Sequence, residues 1–436
     1  MHDVRELLES GPEAERRLAR RGHLLDLDAL RSAQQRRLAA LEAVNGLRAT
    51  LKKSSRGPRG AADGPAAEGE AGPEGGDPRE RNRQLRARVQ AAEAEAREAG
   101  QELERLLLTV PNLPSDDLPD GFSEKEAAEV RRVGPQRGSG PGLGRHHADL
   151  GEKLGVLDSG AAAKLSGARF SVSTGAGALL ERALASLLLD LHTREHGYTE
   201  YAVPHLVSRE TMTGTGQLPK FEEDLFATTV GGREMFLIPT AEVPLTNLVA
   251  REVLDERRLP LALTARTPCY RGEAGSYGRD TRGILRLHQF DKVELVRICR
   301  DEDAAEQLEL MLGHVEECLK RLELSYRVVL LPAGDIGFSA RKTYDVEVWL
   351  PGSDSYREIS SVSDCGTFQG RRAAIRYRTG GSRRTAATLN GSGLPIGRTV
   401  AALLEQGQQP DGSVLLPQAL ARYTGFRRLL PGGATE

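Results

Sequence analysis

The residues with the clearest capacity for chemistry lie in one stretch, PCYRGEAGSYGRDTRGILRLHQFDKVE (268–294), which is too rich in arginine, carboxylates and glycine for a hydrophobic core. The stretch predicts two β-strands joined by a glycine-rich loop. Arg271 and Glu273 are two residues apart and share one face of the first strand, while Phe290 and Glu294 share a face of the second. Arginine binds phosphate, a flat ring stacks on a base and a carboxylate accepts from an amine, so these side chains predict a nucleotide site. The alternative is a surface hairpin crossed by salt bridges.

A second group of polar residues, in SYREISSVSDCGTFQGRRAAIRYR (355–378), offers oxygen ligands for a metal ion. Glu358 is followed by Ser360 and Ser361. One carboxylate and two hydroxyls suit Mg²⁺ bound beside phosphates. The same short pattern also fits the end of an ordinary strand, and the residues alone leave that alternative open.

A third group lies in TLNGSGLPIGRTVAALLEQGQQPDG (388–412), where a glycine-rich turn precedes a predicted helix. Arg398 falls at the start of this helix, close to unpaired backbone N–H groups, and that position favours phosphate binding. A capping or packing role for Arg398 is the alternative.

A fourth group, in LIPTAEVPLTN (237–247), places Thr240 and Glu242 at the end of an apolar run. A buried hydroxyl and a buried carboxylate at this point predict a site for a small substrate that carries an ammonium group. The alternative is a helix N-terminus, with Thr240 as the N-cap and Glu242 in the first turn.

The segments that must position these side chains follow an α+β pattern from about residue 140 onward. Helices are predicted at 178–197 and 303–322, and the predicted strands do not alternate regularly with helices, which favours an antiparallel or mixed sheet. Neither GxGxxG nor GxxxxGK[ST] occurs between a strand and a helix, which argues against the common dinucleotide and P-loop sites. The predicted strands are 234–239, 285–299, 325–332 and 342–351.

The first hundred residues have a different pattern, that of a long helical hairpin. Residues 28–56 and 79–110 predict two helices of about 40 Å each, with apolar residues three and four apart. Residues 57–78, rich in glycine, proline and acidic residues, predict a mobile tip. The predicted domains are therefore a helical arm, 1–112, and a second domain, 113–436. The predicted apolar positions are Leu38, Leu41, Val44, Leu47 and Leu51 in the first helix and Leu85, Val89, Ala92, Ala96, Ala99, Leu103 and Leu106 in the second.

The composition predicts a globular protein with a highly charged surface. The 436 residues are 39% hydrophobic and 28% charged, with a net charge of −2, so any affinity for nucleic acid must come from a local basic surface. The four cysteines lack CxxC or CxxH spacing, and we expect free thiols in a reducing cytosol rather than a zinc site or a disulfide framework. No signal peptide is recognisable, and no run approaches the roughly 20 apolar residues that a membrane span needs. We therefore expect a cytoplasmic protein with no membrane partner.

Taken together, these segments resemble one family, the seryl-tRNA synthetases of the bacterial type, within the class II aminoacyl-tRNA synthetases. The resemblance covers nearly the whole chain: 268–294 looks like motif 2, LNGSGLPIGRT (389–399) looks like motif 3, and TVPNLP, GTGQLPKF, PTAEVPLTN and EISS also match. It implies an α+β class II catalytic domain on a mainly antiparallel sheet, an N-terminal antiparallel coiled-coil arm, and a homodimer. It also implies a two-step reaction, in which L-serine and ATP give seryl-adenylate and the seryl group then passes to the 3′-hydroxyl of tRNA(Ser).

The resemblance implies a role for each residue that matches a motif. Arg271 would hold the α-phosphate, Arg398 would lie against the γ-phosphate of a bent ATP, and Glu358 would bind Mg²⁺; these three are the predicted catalytic residues. Glu273 would contact the adenine amino group and Phe290 would stack on the ring. The implied ATP contacts are Arg271, Gly272, Glu273, Phe290, Glu358, Ile359, Ser360, Ser361 and Arg398; the implied Mg²⁺ ligands are Glu358 and Ser361; the implied serine contacts are Thr240, Ala241, Glu242, Glu294 and Ser392.

The helical arm is expected to bind RNA. Residues 28–56 carry seven Lys or Arg against two acids, and 79–88 carry five Arg against one Glu. Such a surface can follow a phosphate backbone and recognise RNA by shape, and in the family the arm contacts the long variable arm of tRNA(Ser) across the dimer. The acidic tip is expected to project past the RNA. The alternative to an RNA-binding arm is a charged coiled coil exposed to solvent. A second tRNA partner, tRNA(Sec), is left open. The predicted RNA contacts are Arg79, Arg81, Arg83, Arg86 and Arg88.

Several positions depart from the usual family pattern. Val362 and Asp364 stand in SSVSD where many members have SSCSN, and Ala387 stands where a histidine is common. The first two follow the predicted ATP and metal ligands, so they could alter the wall of the active site. The alternatives are a duplicate seryl-tRNA synthetase that confers antibiotic self-resistance or serves antibiotic biosynthesis, a catalytically inactive RNA-binding relative, and an aminoacyl:carrier-protein ligase. The intact catalytic residues disfavour the inactive relative, and the long basic arm disfavours the carrier-protein ligase.

Overall fold

The described chain forms two compact units in a computed structural model. One unit comprises Met1, Arg16–His23 and Pro111–Glu436, and the other comprises His2–Glu15 and Leu24–Val110. The predicted arm tip, apart from the backbone of Pro78, and most of the predicted loop of the first stretch lie outside the described residues. The described residues are 1–54, 78–138, 143–274 and 282–436.

The smaller unit is dominated by an antiparallel pair of long helices, which confirms the two predicted helices to within two residues at each end. The hydroxyl of Ser54 donates to Oδ1 of Asn82 at 2.6 Å, and Arg48 pairs with Glu93 at 2.7 Å, so the end of one helix lies beside the start of the other. The first four helices of the chain are α1 (Val4–Glu9), α2 (Gly11–Ala19), α3 (Leu27–Ser54) and α4 (Pro78–Thr109).

The packing seam of α3 differs from the prediction. Leu38 and Leu41 are exposed, at 47% and 38%, whereas Ala33, Ala40 and Val44 are buried. In α4 the predicted apolar positions are all buried or partly buried. The seam of α3 follows its alanines because small side chains let two helix backbones approach closely, and the two leucines fall outside that contact line.

The larger unit is built on an eight-stranded sheet, which confirms the predicted α+β class with a mainly antiparallel sheet. The strand order is β1-β9-β10-β11-β14-β8-β7-β2, and only the β2–β7 pair is parallel. The strands are β1 (Ala128–Val133), β2 (Thr199–Glu200), β3 (Leu206–Ser208), β4 (Ala227–Val230), β5 (Arg233–Leu237), β6 (Val253–Asp255), β7 (Leu261–Tyr270), β8 (Gln289–Cys299), β9 (Tyr326–Leu330), β10 (Lys342–Leu350), β11 (Ser355–Asp364), β12 (Arg376–Thr379), β13 (Ser382–Thr385), β14 (Ala387–Pro395), β15 (Val414–Leu415) and β16 (Arg428–Leu429).

Helices cover one face of this sheet, and the other face lines a cavity. The helices are α5 (His147–Lys153), α6 (Ser159–Ser166), α7 (Ala176–Asp190), α8 (Arg209–Thr215), α9 (Glu242–Asn247), α10 (Ala304–Arg321), α11 (Phe368–Arg372), α12 (Ile396–Gln406) and α13 (Ala421–Thr424). Along β8, for example, Val293 and Leu295 enter the core with side chains of α7, α10 and α12, whereas Lys292 and Glu294 line the cavity. The period of two in a strand thus separates core from site.

Two predicted elements are shorter than expected. The strand predicted at 285–299 begins at Gln289, because the backbone N–H groups of Ile284 and His288 donate to His147 and Arg169 rather than to a neighbouring strand. The helix predicted at 178–197 is α-helical only as far as Asp190 and continues as a wider turn over Leu191–Glu195.

The cysteines and the helices bear on two expectations from the composition. The four cysteines are buried free thiols. Within the described ranges, no helix is long and apolar enough to cross a membrane.

Candidate active site

The antiparallel pair β7–β8 brings together two of the predicted nucleotide contacts, Arg271 and Phe290. Cys269 lies opposite Phe290 in the ladder, and the N–H of Arg271 donates to the carbonyl of His288 at 2.9 Å, so the pairing continues just past β7. The guanidinium carbon of Arg271 lies 5.2 Å from the centroid of the Phe290 ring, and its Nε donates to the carbonyl of Pro239 at 3.3 Å. Arg271 is therefore held from two sides.

Glu273 and Gly272 complete this edge of the site. Nη1 of Arg286 lies 2.5 Å from Oε2 of Glu273, an ion pair that orients the carboxylate. The N–H of Gly272 donates to the carbonyl of Asp224 at 2.8 Å, and a Cβ on Gly272 would lie 3.2 Å from that oxygen. A larger residue at 272 would push the strand away from this contact.

Arg398 lies in the first turn of α12 and faces the same pocket as Phe290 and Glu273. Its Nη1 donates to the carbonyl of Glu358 at 2.7 Å, and its Nε donates to the carbonyl of Leu285 at 3.0 Å. Two backbone carbonyls thus fix the orientation of the guanidinium. Arg398 therefore has the predicted position at the start of a helix and also the packing contacts that were considered as the alternative.

A cluster of oxygen atoms lies on β10 and β11. Glu358 and Ser361 line the main cavity, and Asp345 lies directly opposite Ser361 in the ladder. Oδ1 of Asp345 is buried and has no hydrogen-bond partner within the described part of the chain. Burial, and then the charge of Glu358, raises the pKa of Asp345 well above its ordinary value. An unsatisfied acidic oxygen beside a second carboxylate favours a bound cation.

The sequence reasoning missed Asp345, although a signal was present. In the apolar strand KTYDVEVWLP (342–351), Asp345 and Glu347 are two residues apart and therefore share a face. In the structure both line the cavity, and Glu347 is paired with Arg327 at 2.5 Å.

Polar groups from three separate segments converge at the predicted serine end of the cavity. The hydroxyl of Thr240 donates to Oε2 of Glu294 at 2.7 Å. Nζ of Lys292 donates to Oγ1 of Thr240 at 3.0 Å and to Oγ of Ser392 at 3.2 Å, and it is ion-paired with Glu294. The sequence reasoning assigned no role to Lys292, since two of its three partners, Thr240 and Ser392, are supplied by other segments.

Glu242 lies at the same end, at the start of α9. Its Oε1 accepts from Nε2 of Gln369 at 2.6 Å and from Nδ2 of Asn390 at 3.0 Å. Burial, and then the charge of Glu294, raises the pKa of Glu242 to about 7. Ala241 is the N-cap of α9 and is fully buried, and no side-chain bond caps the helix. Thr240, the N-cap of the alternative interpretation, thus lies one residue before the observed cap, and its hydroxyl accepts from the N–H of Glu242 at 3.4 Å.

The remaining predicted ATP contacts on β11, Ile359 and Ser360, have different surroundings. Ile359 is buried in the core and lines the pocket that Phe290 and Arg398 share. The hydroxyl of Ser360 donates to the carbonyl of Ser392 at 2.6 Å, which ties β11 to β14. The ATP contacts of these two residues remain predictions.

The positions that depart from the family pattern lie away from the cavity. Val362 is fully buried in the core, and Asp364 is paired with Arg341 at 2.8 Å and accepts from the N–H of Gly366 at 2.7 Å. Ala387 is also fully buried. Since Ser361 and Ser363 line the cavity, strand alternation directs Val362 and Asp364 to the opposite face.

The arginine-rich turns of α4 form an exposed basic surface on the smaller unit. Arg81, Arg83, Arg86 and Arg88 are exposed, and Arg83 pairs with Glu80 at 3.2 Å. Arg79 is also exposed. The predicted RNA-contacting side chains are therefore accessible to solvent on one helix.

The main cavity thus has room and chemistry for a nucleotide joined to a small polar molecule. Its volume is about 690 Å³, and its lining includes Phe221, Glu273 and Arg271 together with Thr240, Lys292 and Glu294.

Comparison with known proteins relates this cavity to one family of enzymes. Residues 226–407 match the tRNA synthetase class II core domain (G, H, P, S and T). The chain is similar to a protein named Serine--tRNA ligase 2 from Streptomyces avermitilis, with 68% identity over the full length of both chains. It is 48% identical to the Serine--tRNA ligase of Pelobacter propionicus, over 98% of this chain and 99% of that one. Its fold is similar to the crystal structure of seryl-tRNA synthetase from Pyrococcus horikoshii complexed with ATP, with a TM-score of 0.86 and 32% identity over 99% of this chain and 100% of that one.

Proposed function

The chain belongs to the serine–tRNA ligases of class II, and we propose that the cavity of its larger unit binds ATP and L-serine side by side and joins them. The serine carboxylate would attack the α-phosphorus of ATP and displace pyrophosphate. The 3′-hydroxyl of tRNA(Ser) would then attack the carbonyl of the seryl-adenylate and displace AMP. The observation that carries this proposal is that Arg271 and Glu273 line a pocket with Phe290 and Arg398 and also line the main cavity, whose walls include Thr240, Glu242 and Glu294.

At the nucleotide end, Arg271, Phe290 and Glu273 would bind the phosphate, the ring and the amino group of the adenylate. The 5.2 Å stacking of Arg271 on Phe290 and the ion pair of Glu273 with Arg286 support this assignment, because both hold the side chains in place before the substrate arrives. Preorganised cations stabilise the charge that develops on the α-phosphate in the transition state.

The donor atoms on β10 and β11 fit Mg²⁺. Glu358 and Ser361 would hold the ion, and the unpartnered Oδ1 of Asp345 adds a third hard oxygen that the sequence reasoning did not include. The ion would neutralise charge on the ATP phosphates. The burial and the charge of Glu358 that raise the pKa of Asp345 would also favour a cation beside these two carboxylates.

At the other end, Glu242, Thr240, Glu294 and Ser392 would bind serine. A site that hydrogen-bonds a substrate hydroxyl rejects alanine strongly, because buried polar groups would be left unpaired. Threonine would be excluded by shape, since the backbone of Ala241 and the buried side chains around it are closely packed.

We further propose that the exposed arginines of α4 contact tRNA(Ser) and that the enzyme is a cytoplasmic homodimer. The same charging assay with tRNA(Sec) tests a second RNA substrate. Light scattering on the full chain at physiological salt reports the mass directly. A monomer that charges tRNA at a normal rate would rule out the homodimer as the active form.

The experiment for the main proposal is aminoacylation of serine tRNA transcripts with radiolabelled serine, with and without a serine-adenylate analogue. We expect charging that requires ATP and is blocked by the analogue. A folded protein that forms no seryl-tRNA would contradict the proposal. Charging that persists under the analogue would favour the resistance duplicate, for which Val362 and Asp364 give no support, since both face away from the cavity.

A further inference from the structure

Lys292 occupies an unusual position for a cation. Its side chain is only 7% exposed, and its ammonium lies among Glu294, Thr240 and Ser392. Each of these three partners is a residue that the proposed function assigns to the substrate serine. The ammonium of Lys292 therefore already contacts the groups that would otherwise be available to a substrate ammonium.

The two carboxylates near Lys292 differ in whether a cation compensates their charge. Two buried carboxylates, Glu242 and Glu294, line this end of the cavity. Lys292 is ion-paired with Glu294, whereas Glu242 accepts from the neutral amides of Gln369 and Asn390. Together the two carboxylates and Lys292 carry a net charge of −1, and Arg271, whose charge also acts on Glu242, is assigned to the α-phosphate by the proposed function.

The remaining charge lies on Glu242. Burial and the neighbouring charge of Glu294 raise the pKa of Glu242 to about 7, which is the behaviour of a carboxylate that still needs a counter-ion. A single substrate ammonium would supply it. A substrate that carried a second ammonium would meet Lys292 at the short distances where like charges repel strongly in a buried site.

We infer that Lys292 is a specificity-determining residue, a resident counter-charge that restricts the pocket to an amino acid with one ammonium group and an uncharged side chain able to hydrogen-bond. Serine meets this requirement. Its analogue 2,3-diaminopropionate, in which an amine replaces the hydroxyl, has nearly the same shape and is rejected by charge. The inference rests on the proposed function, because it takes this end of the cavity as the serine site.

Substitutions can change the charge of the pocket in steps. Lys292→Met removes the resident ammonium with little change in length and leaves two uncompensated carboxylates. The double variant Lys292→Met with Glu294→Gln removes both members of the ion pair and returns the pocket to one carboxylate. The measured quantity is amino-acid-dependent exchange of pyrophosphate into ATP, as kcat/KM with serine and with 2,3-diaminopropionate at the same pH, chosen low enough that both amines of the analogue are protonated.

We expect Lys292→Met to shift the ratio of the two kcat/KM values toward 2,3-diaminopropionate by about tenfold or more, and the double variant to return most of the way to the wild-type ratio. A purely structural role for Lys292 would lower both kcat/KM values together, and an unchanged ratio in a folded Lys292→Met protein would overturn the inference. Absence of serine-dependent exchange in the wild type would instead contradict the proposed function, so the two failures are distinguishable.

A crystal structure of the wild-type protein with a non-hydrolysable seryl-adenylate analogue decides the matter even if Lys292→Met does not fold. We expect Nζ of Lys292 to remain on Glu294 while the seryl ammonium lies against Glu242. A Lys292 side chain that has left Glu294, with the seryl ammonium in its place, would refute the resident counter-charge.

Discussion

Replacing Glu242 by glutamine should have opposite effects on two properties, the stability of the empty enzyme and the binding of serine. The substitution removes the charge but keeps Oε1, which can still accept from Nε2 of Gln369 and Nδ2 of Asn390. We expect the variant to be more stable than the wild type at high pH and poorer at binding serine, because a buried carboxylate without a counter-ion destabilises the empty enzyme and is needed by the substrate.

The size of the stability effect follows from the pKa of Glu242, about 7 in the folded protein against an ordinary value of 4.5. At about 1.4 kcal/mol per pH unit, this difference corresponds to roughly 3 kcal/mol. Since the folded state holds the proton more tightly, the free energy of unfolding falls as pH rises above the unfolded pKa of 4.5, and the full loss is reached above about 7. Glu242→Gln abolishes this dependence.

The assay is the free energy of unfolding of both proteins, without substrate, at about pH 5 and about pH 8.5. The difference between variant and wild type should be larger at the higher pH by roughly 2 to 3 kcal/mol. At pH 8.5 the KM for serine should rise in the variant by about ten- to a hundredfold, the usual cost of losing a charged hydrogen bond.

A matched control and a refuting result are both available. Glu294→Gln removes a buried carboxylate that has an ammonium partner and leaves Lys292 unpaired, so it should destabilise the protein rather than stabilise it. If the effect of Glu242→Gln on unfolding is the same at both pH values, Glu242 does not titrate in this range, and the description of it as an uncompensated carboxylate is wrong.

The other predictions concern the nucleotide, the metal ion and the RNA. Arg271→Ala should reduce serine-dependent pyrophosphate exchange by about a hundredfold or more while leaving the circular dichroism spectrum unchanged, and near-normal exchange would remove Arg271 from the proposed role. Asp345→Asn should raise the Mg²⁺ concentration needed for half-maximal exchange, and titration curves that superimpose on those of the wild type would exclude Asp345 as a ligand. Arg81→Glu combined with Arg88→Glu should raise the KM for tRNA and leave pyrophosphate exchange intact, with Arg97→Glu as the control on the same helix; equal effects of the two sets would contradict a localised RNA contact.

Local spacing accounts for what the sequence predicted well. The heptad pattern of α4 predicted a helix within one residue of each observed end, because a recurrence of apolar residues every three or four positions is a property of the segment alone. The alternation in the stretch that became β8 placed Phe290 and Glu294 on one face for the same reason, although the strand starts at Gln289 rather than at 285.

Contacts between distant segments account for what it missed. In α3 the seam follows Ala33 and Ala40 and leaves Leu38 and Leu41 exposed, and only the partner helix decides which of two apolar stripes is covered. Asp345 becomes a candidate metal ligand only because β10 pairs with β11 in the register that sets it opposite Ser361.

The sequence by itself determined the family, the α+β class and most of the side chains that line the site, because these depend on residue identity and on spacing within short segments. The tertiary structure alone decided how those side chains affect one another. Thr240, Lys292 and Ser392 lie far apart along the chain and meet within 3.2 Å through the pairing of β8 with β14 and the approach of the segment before α9. The raised pKa of Glu242 arises from that approach and the unsatisfied oxygen of Asp345 from the pairing of β10 with β11, since charge and burial depend on distances in space and not on distances along the chain.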